Sequence, residues 1–217
     1  MANAMSSASS LPPYRVFAFG DSLTAGTSGY ELHPYAPYLE NAINSKGGIN
    51  ERQVIVRHRG LPGWTAKEML NNLDDGRAGL RAAIRNIQNP SLSLVIILAG
   101  TNDMGYGFGE HEITENILKL HQVCYDEGVP RTIAIGIPPS GYQSVNAGAA
   151  RLATSINSNL EEFCHNNPAK ATFHPFPFPF VKGGENWDAD TLHFSRKGYQ
   201  ALGESLVNVL METLKAT

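Results

Sequence analysis

Cysteine is scarce. Two in 217 residues, Cys124 and Cys164, are too few for a disulfide framework. Both fall on helical patterns, where a free thiol reads as a small core side chain. No histidine has a histidine partner four residues on, and no Cys/His cluster exists. The spacing of a metal centre is therefore missing, and neither a metal nor another cofactor is expected. Charged residues make up 17% of the chain, the net charge is −3, and no basic cluster stands out. That argues against an electrostatic nucleic-acid binder. No run approaches the roughly 20 apolar residues of a membrane helix. Residues 1–10 are small and polar, without the apolar core of a signal peptide. No membrane partner and a cytoplasmic location are the resulting expectations. There is no Gly-x-x-x-x-Gly-Lys-Ser/Thr phosphate loop, no internal repeat and no long linker.

What is present is the material for one buried core. Residues 1–13 read as a disordered leader and 14–217 as a single domain. Apolar runs predict strands over 15–19, 53–57, 94–99, 132–137 and 171–174. The run Leu94-Val95-Ile96-Ile97-Leu98-Ala99 has no polar alternation, as expected of a strand covered on both faces. Between the strands, apolar residues recur at helical spacing over 34–44, 65–70, 77–87, 113–127 and 149–165. Ser195 reads as the N-cap of a last helix reaching Leu214. Alternating strands and helices imply an α/β fold with a mostly parallel sheet. Ligands of such sheets bind beyond the carboxyl ends of the strands, and Ser22, Gly63, Asn102 and Pro138 all fall just after predicted strands. In Phe176-Pro177-Phe178-Pro179-Phe180, proline at every second position forbids a central strand. An extended edge or loop with the rings on one side is expected.

Four blocks carry chemistry. Gly20-Asp21-Ser22-Leu23 follows the first strand, Gly60-Leu61-Pro62-Gly63-Trp64-Thr65 the second and Gly100-Thr101-Asn102-Asp103 the third. Asp190-Thr191-Leu192-His193 follows the last strand. Each alone has a bland reading: Ser22 as a turn or helix cap, Asn102 as a turn residue, Asp190 as a loop cap. Together they supply a nucleophile, a general base and an acid that orients it. A serine hydroxyl is a poor nucleophile until a base takes its proton, and imidazole suits that task near neutrality. Asp190, three residues before His193, is placed to accept the other ring N–H and fix the tautomer. Asn102 offers a side-chain N–H to a developing oxyanion. Asp21 and Asp103 read as acceptors that fix their own loops. His33, His58, His111, His121, His165 and His174 lack such companions.

From about Arg15 to Leu210 the chain resembles the GDSL family of serine esterases and lipases, the SGNH hydrolases. Gly-Thr-Asn-Asp and Asp-x-x-His are the more specific motifs. The Gly60 to Thr65 block is also similar to that of bacterial arylesterase and acyltransferase members. The resemblance implies a three-layer α/β/α sandwich with a five-stranded parallel sheet in flavodoxin-like order. It implies Ser22, Asp190 and His193 as the catalytic triad, and Asn102 with the backbone N–H groups of Gly63 and Ser22 as the oxyanion hole.

The resulting expectation is a serine esterase that hydrolyses short-chain, acetyl-type esters through an acyl-enzyme. The same residues serve an acyltransferase, in which an alcohol replaces water. A non-catalytic carbohydrate-binding descendant is a further alternative. No long insertion is present to build a lid or an acyl tunnel; the longest candidate, 138–148, is small and polar. Trp64 and Met104 are the expected apolar contacts of a shallow site. The partner is then a small-molecule ester, and an acylated sugar fits equally well.

Overall fold

The computed structural model describes residues 11–87 and 91–215. The leader expected over 1–13 falls, except for its last three residues, outside them. The elements in order are β1 (Tyr14–Asp21), α1 (Ser22–Ala25), β2 (Thr27–Ser28), β3 (Glu31–Leu32), α2 (Tyr35–Asn44), β4 (Val54–Leu61), α3 (Ala66–Asn71) and α4 (Leu80–Asn86). They continue with β5 (Leu94–Leu98), α5 (Thr101–Gly105), α6 (Glu110–Asp126), β6 (Thr132–Ile135), α7 (Gly141–Val145), α8 (Ala147–Asn166), β7 (Ala171–His174) and α9 (Arg196–Lys215). Five strands form one sheet in the order β4-β1-β5-β6-β7, and every neighbouring pair is parallel. β2 and β3 form a separate two-stranded ribbon.

The sheet is covered on both faces, and successive residues of a strand serve opposite faces. Val16 and Ala18 of β1 join Leu94, Ile96 and Leu98 of β5 in one core, closed by Tyr35, Leu39 and Ile43 of α2 and Leu202, Leu206 and Leu210 of α9. Phe17 and Phe19 join Val95 and Ile97 in the other, closed by α3, α4, α6 and α8 through residues such as Met69, Leu80, Ile117 and Leu160. All five residues of β5 are buried. At about 1.5–3 kcal/mol for each large aliphatic side chain removed from water, such central strands carry much of the fold's stability. This is the α/β/α sandwich expected from the sequence. Cys124 and Cys164 are both free and buried. Burial raises both thiols, Cys164 to about 12, so they are core side chains and not nucleophiles.

Two differences from the sequence reading matter for the site. β4 runs to Leu61, four residues past its expected end, because β1 offers partners up to Asp21↔Leu61. The extension is hidden in sequence because Arg57, His58 and Arg59 break the apolar pattern on this edge strand. It delivers the Gly63 turn to the same edge as Ser22. A short helix, α7, also precedes the expected one at 149–165, which itself begins at Ala147.

The Phe-Pro run is the loop expected, and it forms a foundation. Phe176, Phe178 and Phe180 pack against the first core, while Pro175, Pro177 and Pro179 face outward. The rings of Phe176, Phe178 and Trp187 meet that of Phe194 with centroids 5.1–5.6 Å apart, and Trp187 Nε1 donates to the Pro179 carbonyl at 3.0 Å. Phe194 is fully buried and is the residue after His193.

Candidate active site

β1 ends at Asp21, and the chain turns at once into α1. The Asp21 carboxylate accepts the Leu23 N–H at 2.9 Å and caps that helix. Ser22 is thereby the first helical residue, largely buried. Its Oγ lies 2.9 Å from His193 Nε2. His193 Nδ1 lies 2.6 Å from Asp190 Oδ2. The other Asp190 oxygen accepts the backbone N–H groups of Leu192 and His193, each at 2.9 Å. Burial raises the Asp190 carboxyl, but the His193 hydrogen bond and these two N–H groups outweigh it and hold the acid below its ordinary value. Asp190 therefore stays ionised at neutral pH, as an acceptor that fixes the imidazole must.

The loop bearing Asp190 and His193 is held from several sides. Asp188 N–H donates to the His193 carbonyl, and Thr191 N–H to that of Asp188. Ser28 Oγ, on the ribbon that follows α1, donates to Asp188 Oδ2 at 2.9 Å. Ser195 Oγ accepts the Gly198 N–H, which makes Ser195 the cap of α9 as expected. Tyr199 of α9 donates to the Thr27 carbonyl at 2.7 Å. The segment just after Ser22 is thus tied to the chain on either side of His193.

Asn102 lies in α5, directly after β5. Its Nδ2 donates to the Trp64 carbonyl at 2.9 Å, so the third block is docked on the second. Asp103 strengthens that joint: both its oxygens accept the Ala66 N–H, at 3.1 and 2.9 Å. Thr65 caps α3 in a box with Glu68. Asp21 and Asp103 are thus the loop-fixing acceptors that the sequence suggests. Gly63 has φ +80°, the left-handed region where a side chain is disfavoured. Nothing lies within 4 Å of the place a Cβ would take, so the backbone here faces open space.

A cleft of about 220 Å³ borders Asp190. Its walls include Thr101, Met104, Tyr142, Asp190, Thr191 and Leu192. Met104 lines this cleft. Trp64 is not among the walls; it packs against the second core and serves the site through its carbonyl. Across Gln143, which lines both, lies a wider groove of about 460 Å³ that includes Pro139, Asn157 and the Phe-Pro run. Tyr142, Thr191 and Leu192 were not singled out by residue type. They come from loops that only the topology brings together. Thr191 also has φ +64°, and the usual sequence signal of that conformation is glycine.

The remaining histidines have other partners or surroundings. His121 is fully buried with Nδ1 2.7 Å from Thr132 Oγ1, and burial pushes it down to about 3, so it is neutral. His174 meets Ser205, and His33 meets Glu31. Among the described residues no group of three or more His, Cys, Asp or Glu could hold a metal ion, and no helix is long and apolar enough to cross a membrane.

The model of the GDSL-like Lipase/Acylhydrolase family matches residues 18–201. No curated protein sequence matches significantly. Among solved structures, the chain is similar to a family 3 carbohydrate esterase of Clostridium thermocellum, with TM-score 0.71 and 17% identity over 94% of this chain and 98% of that one. A lipase/acylhydrolase from Enterococcus faecalis gives TM-score 0.69 and 22% identity, again over 94% and 98%. The psychrotrophic esterase EstA from Pseudoalteromonas, in a structure inhibited by monoethylphosphonate, gives 0.67 and 17% over 93% and 98%. At these identities the likeness establishes the fold.

Proposed function

Because the chain belongs to the GDSL-like lipase/acylhydrolase family, we propose that it is a serine esterase for short-chain acyl esters, with Ser22, His193 and Asp190 as its triad. The observation that carries this reading is the unbroken relay from Ser22 Oγ through both ring nitrogens of His193 to Asp190, at 2.9 and 2.6 Å. His193 Nε2 takes the Ser22 proton as Oγ attacks the ester carbonyl. The oxyanion that forms is met by the N–H groups of Ser22 and Gly63 and by Asn102 Nδ2. An amide nitrogen carries two protons. One is spent on the Trp64 carbonyl, which orients the group; the other remains for the substrate. Each such donor is worth about 2.7–4 kcal/mol in the transition state. His193 then protonates the leaving alcohol and activates the water that releases the acyl group.

The size and apolar walls of the 220 Å³ cleft suit a short acyl chain. The wider neighbouring groove leaves room for a bulky alcohol part, including a sugar. An acyltransferase would use the same residues, and added alcohol in the assay separates the two by the yield of transferred acyl group. The central test is covalent. A phosphonate ester should modify Ser22 alone and abolish hydrolysis of a chromogenic acetate, and Ser22→Ala should lower kcat at least about 10³-fold. An adduct on another serine, or undiminished hydrolysis by Ser22→Ala, would overturn the assignment.

A further inference from the structure

Among the described residues three non-glycine positions have positive φ: Asn50, Glu51 and Thr191. The first two lie inside the tight turn between Ile49 and Arg52. Thr191 is different. It is β-branched, so the left-handed region crowds its own side chain, and it stands between Asp190 and His193. Glycine would hold the same backbone without strain. Strain kept at such a place points to a use for the side chain.

The position of that side chain suggests the use. Thr191 is a wall of the 220 Å³ cleft, together with Met104, Tyr142 and Leu192. On its other side it rests on the first residue of α7. The Gly141 N–H donates to the Thr191 carbonyl at 2.8 Å. A Cβ on Gly141 would collide with Thr191 Oγ1 and lie 2.6 Å from its Cβ. The Thr191 side chain therefore cannot retreat toward α7 while its backbone stays bonded there. Gly141 and Thr191 fit one another, and the methyl and hydroxyl groups remain as a fixed wall.

We infer that Thr191 is a specificity-determining residue, which limits the length of the acyl chain held beside Ser22, and that Gly141 is the seat that keeps it in place. This rests on the esterase reading above. An acyl chain lying in the 220 Å³ cleft would end against Thr191, a wall of that cleft, and removing its side chain would add room there. Each methylene that gains a buried place improves kcat/KM about fourfold.

The test uses a series of p-nitrophenyl esters from acetate to octanoate. In Thr191→Gly, the longest well-used acyl chain should grow by one or two methylenes, with about a fourfold gain in kcat/KM at each step relative to acetate. Thr191→Asn keeps a residue type that tolerates the left-handed region but is longer, and should narrow the profile toward acetate. Gly141→Ala should reduce activity on every ester in the wild-type background and be tolerated in Thr191→Gly. Thermal unfolding of each variant checks that it folds. An unchanged profile in a folded Thr191→Gly, shifts of the same direction for Gly and Asn, or equal damage from Gly141→Ala in both backgrounds would overturn the inference while leaving the esterase intact. A wild-type protein that cleaves none of the series would remove the esterase reading and this inference with it.

Discussion

Replacing Asp21 by asparagine should stabilise the protein, by an amount that grows with pH. Asp21 is fully buried, and burial, reinforced by nearby Asp103 and opposed by the Leu23 N–H, pushes its carboxyl from 3.8 to about 7. Its Oδ1 accepts the Leu23 N–H, while its Oδ2 has no partner. Below pH 3.8 the acid is protonated in both the folded and the unfolded chain, and it costs nothing differential. As pH rises toward 7 the unfolded chain releases this proton and the folded chain retains it. The unfolded state is thereby favoured by about 1.4 kcal/mol per pH unit. Over the roughly three units between 3.8 and 7 the loss reaches at most about 4 kcal/mol. Above pH 7 both states are ionised, and the difference levels off. The asparagine side chain has the shape of the protonated acid, still accepts the Leu23 N–H and does not titrate. Urea unfolding of both proteins at about pH 4, 5.5 and 7.5 gives the comparison directly, because every other titrating group is common to the pair. The mutant's advantage should be near zero at the lowest pH and largest at the highest. An advantage that does not change with pH, or one that shrinks as pH rises, would refute the claim that burial raises the Asp21 carboxyl.

Other consequences are open to simpler measurements. Asn102→Ala should lower kcat by about 10²–10³-fold with a smaller change in KM; a change in KM alone would make Asn102 a ground-state contact. Phe194→Ala removes a fully buried ring from the aromatic foundation of the triad loop and should cost about 3–5 kcal/mol in chemical denaturation. A cost below about 1 kcal/mol would mean the loop is held by its hydrogen bonds alone. Asp190 is held below its ordinary value, so the contribution of its charge is lost only as pH falls through that lowered value. The low-field NMR resonance of the His193 Nδ1 proton should therefore persist as pH is lowered to the ordinary aspartate value of 3.8, and its loss through protonation of Asp190 well above that value would contradict this.

The parts legible in the sequence were those written in residue type and period. β5 could be placed because its apolar run, Leu94 to Leu98, is continuous. The residues that meet in the Ser22–His193–Asp190 relay, and Asn102 docked on the Trp64 carbonyl, could be picked out because serine, histidine, aspartate and asparagine after strands have few joint explanations. What escaped has physical reasons. Helices α1, α5 and α7 are four or five residues long, too short to show a period of about 3.6. The end of β4 was masked by Arg57, His58 and Arg59, whose place is decided by pairing with β1 and not by burial. The cleft is built from Thr101 to Gly105, Ser140 to Gln143 and Asp190 to Leu192, three stretches with no common local signature. Thr191 shows nothing in sequence of its left-handed backbone.

Ser22 and His193 meet across 171 positions of chain. During synthesis Ser22 is made 171 residues before His193. Elongation at about 5–20 residues per second separates the two by roughly ten to thirty seconds. Until the segment bearing His193 is in place, Ser22 lacks the imidazole that lies 2.9 Å from its Oγ in the fold. On the proposed function, the emerging chain should be silent toward esters until His193 reaches Ser22. Refolding followed simultaneously by burial of β5 and by ester hydrolysis should show the second signal lagging the first.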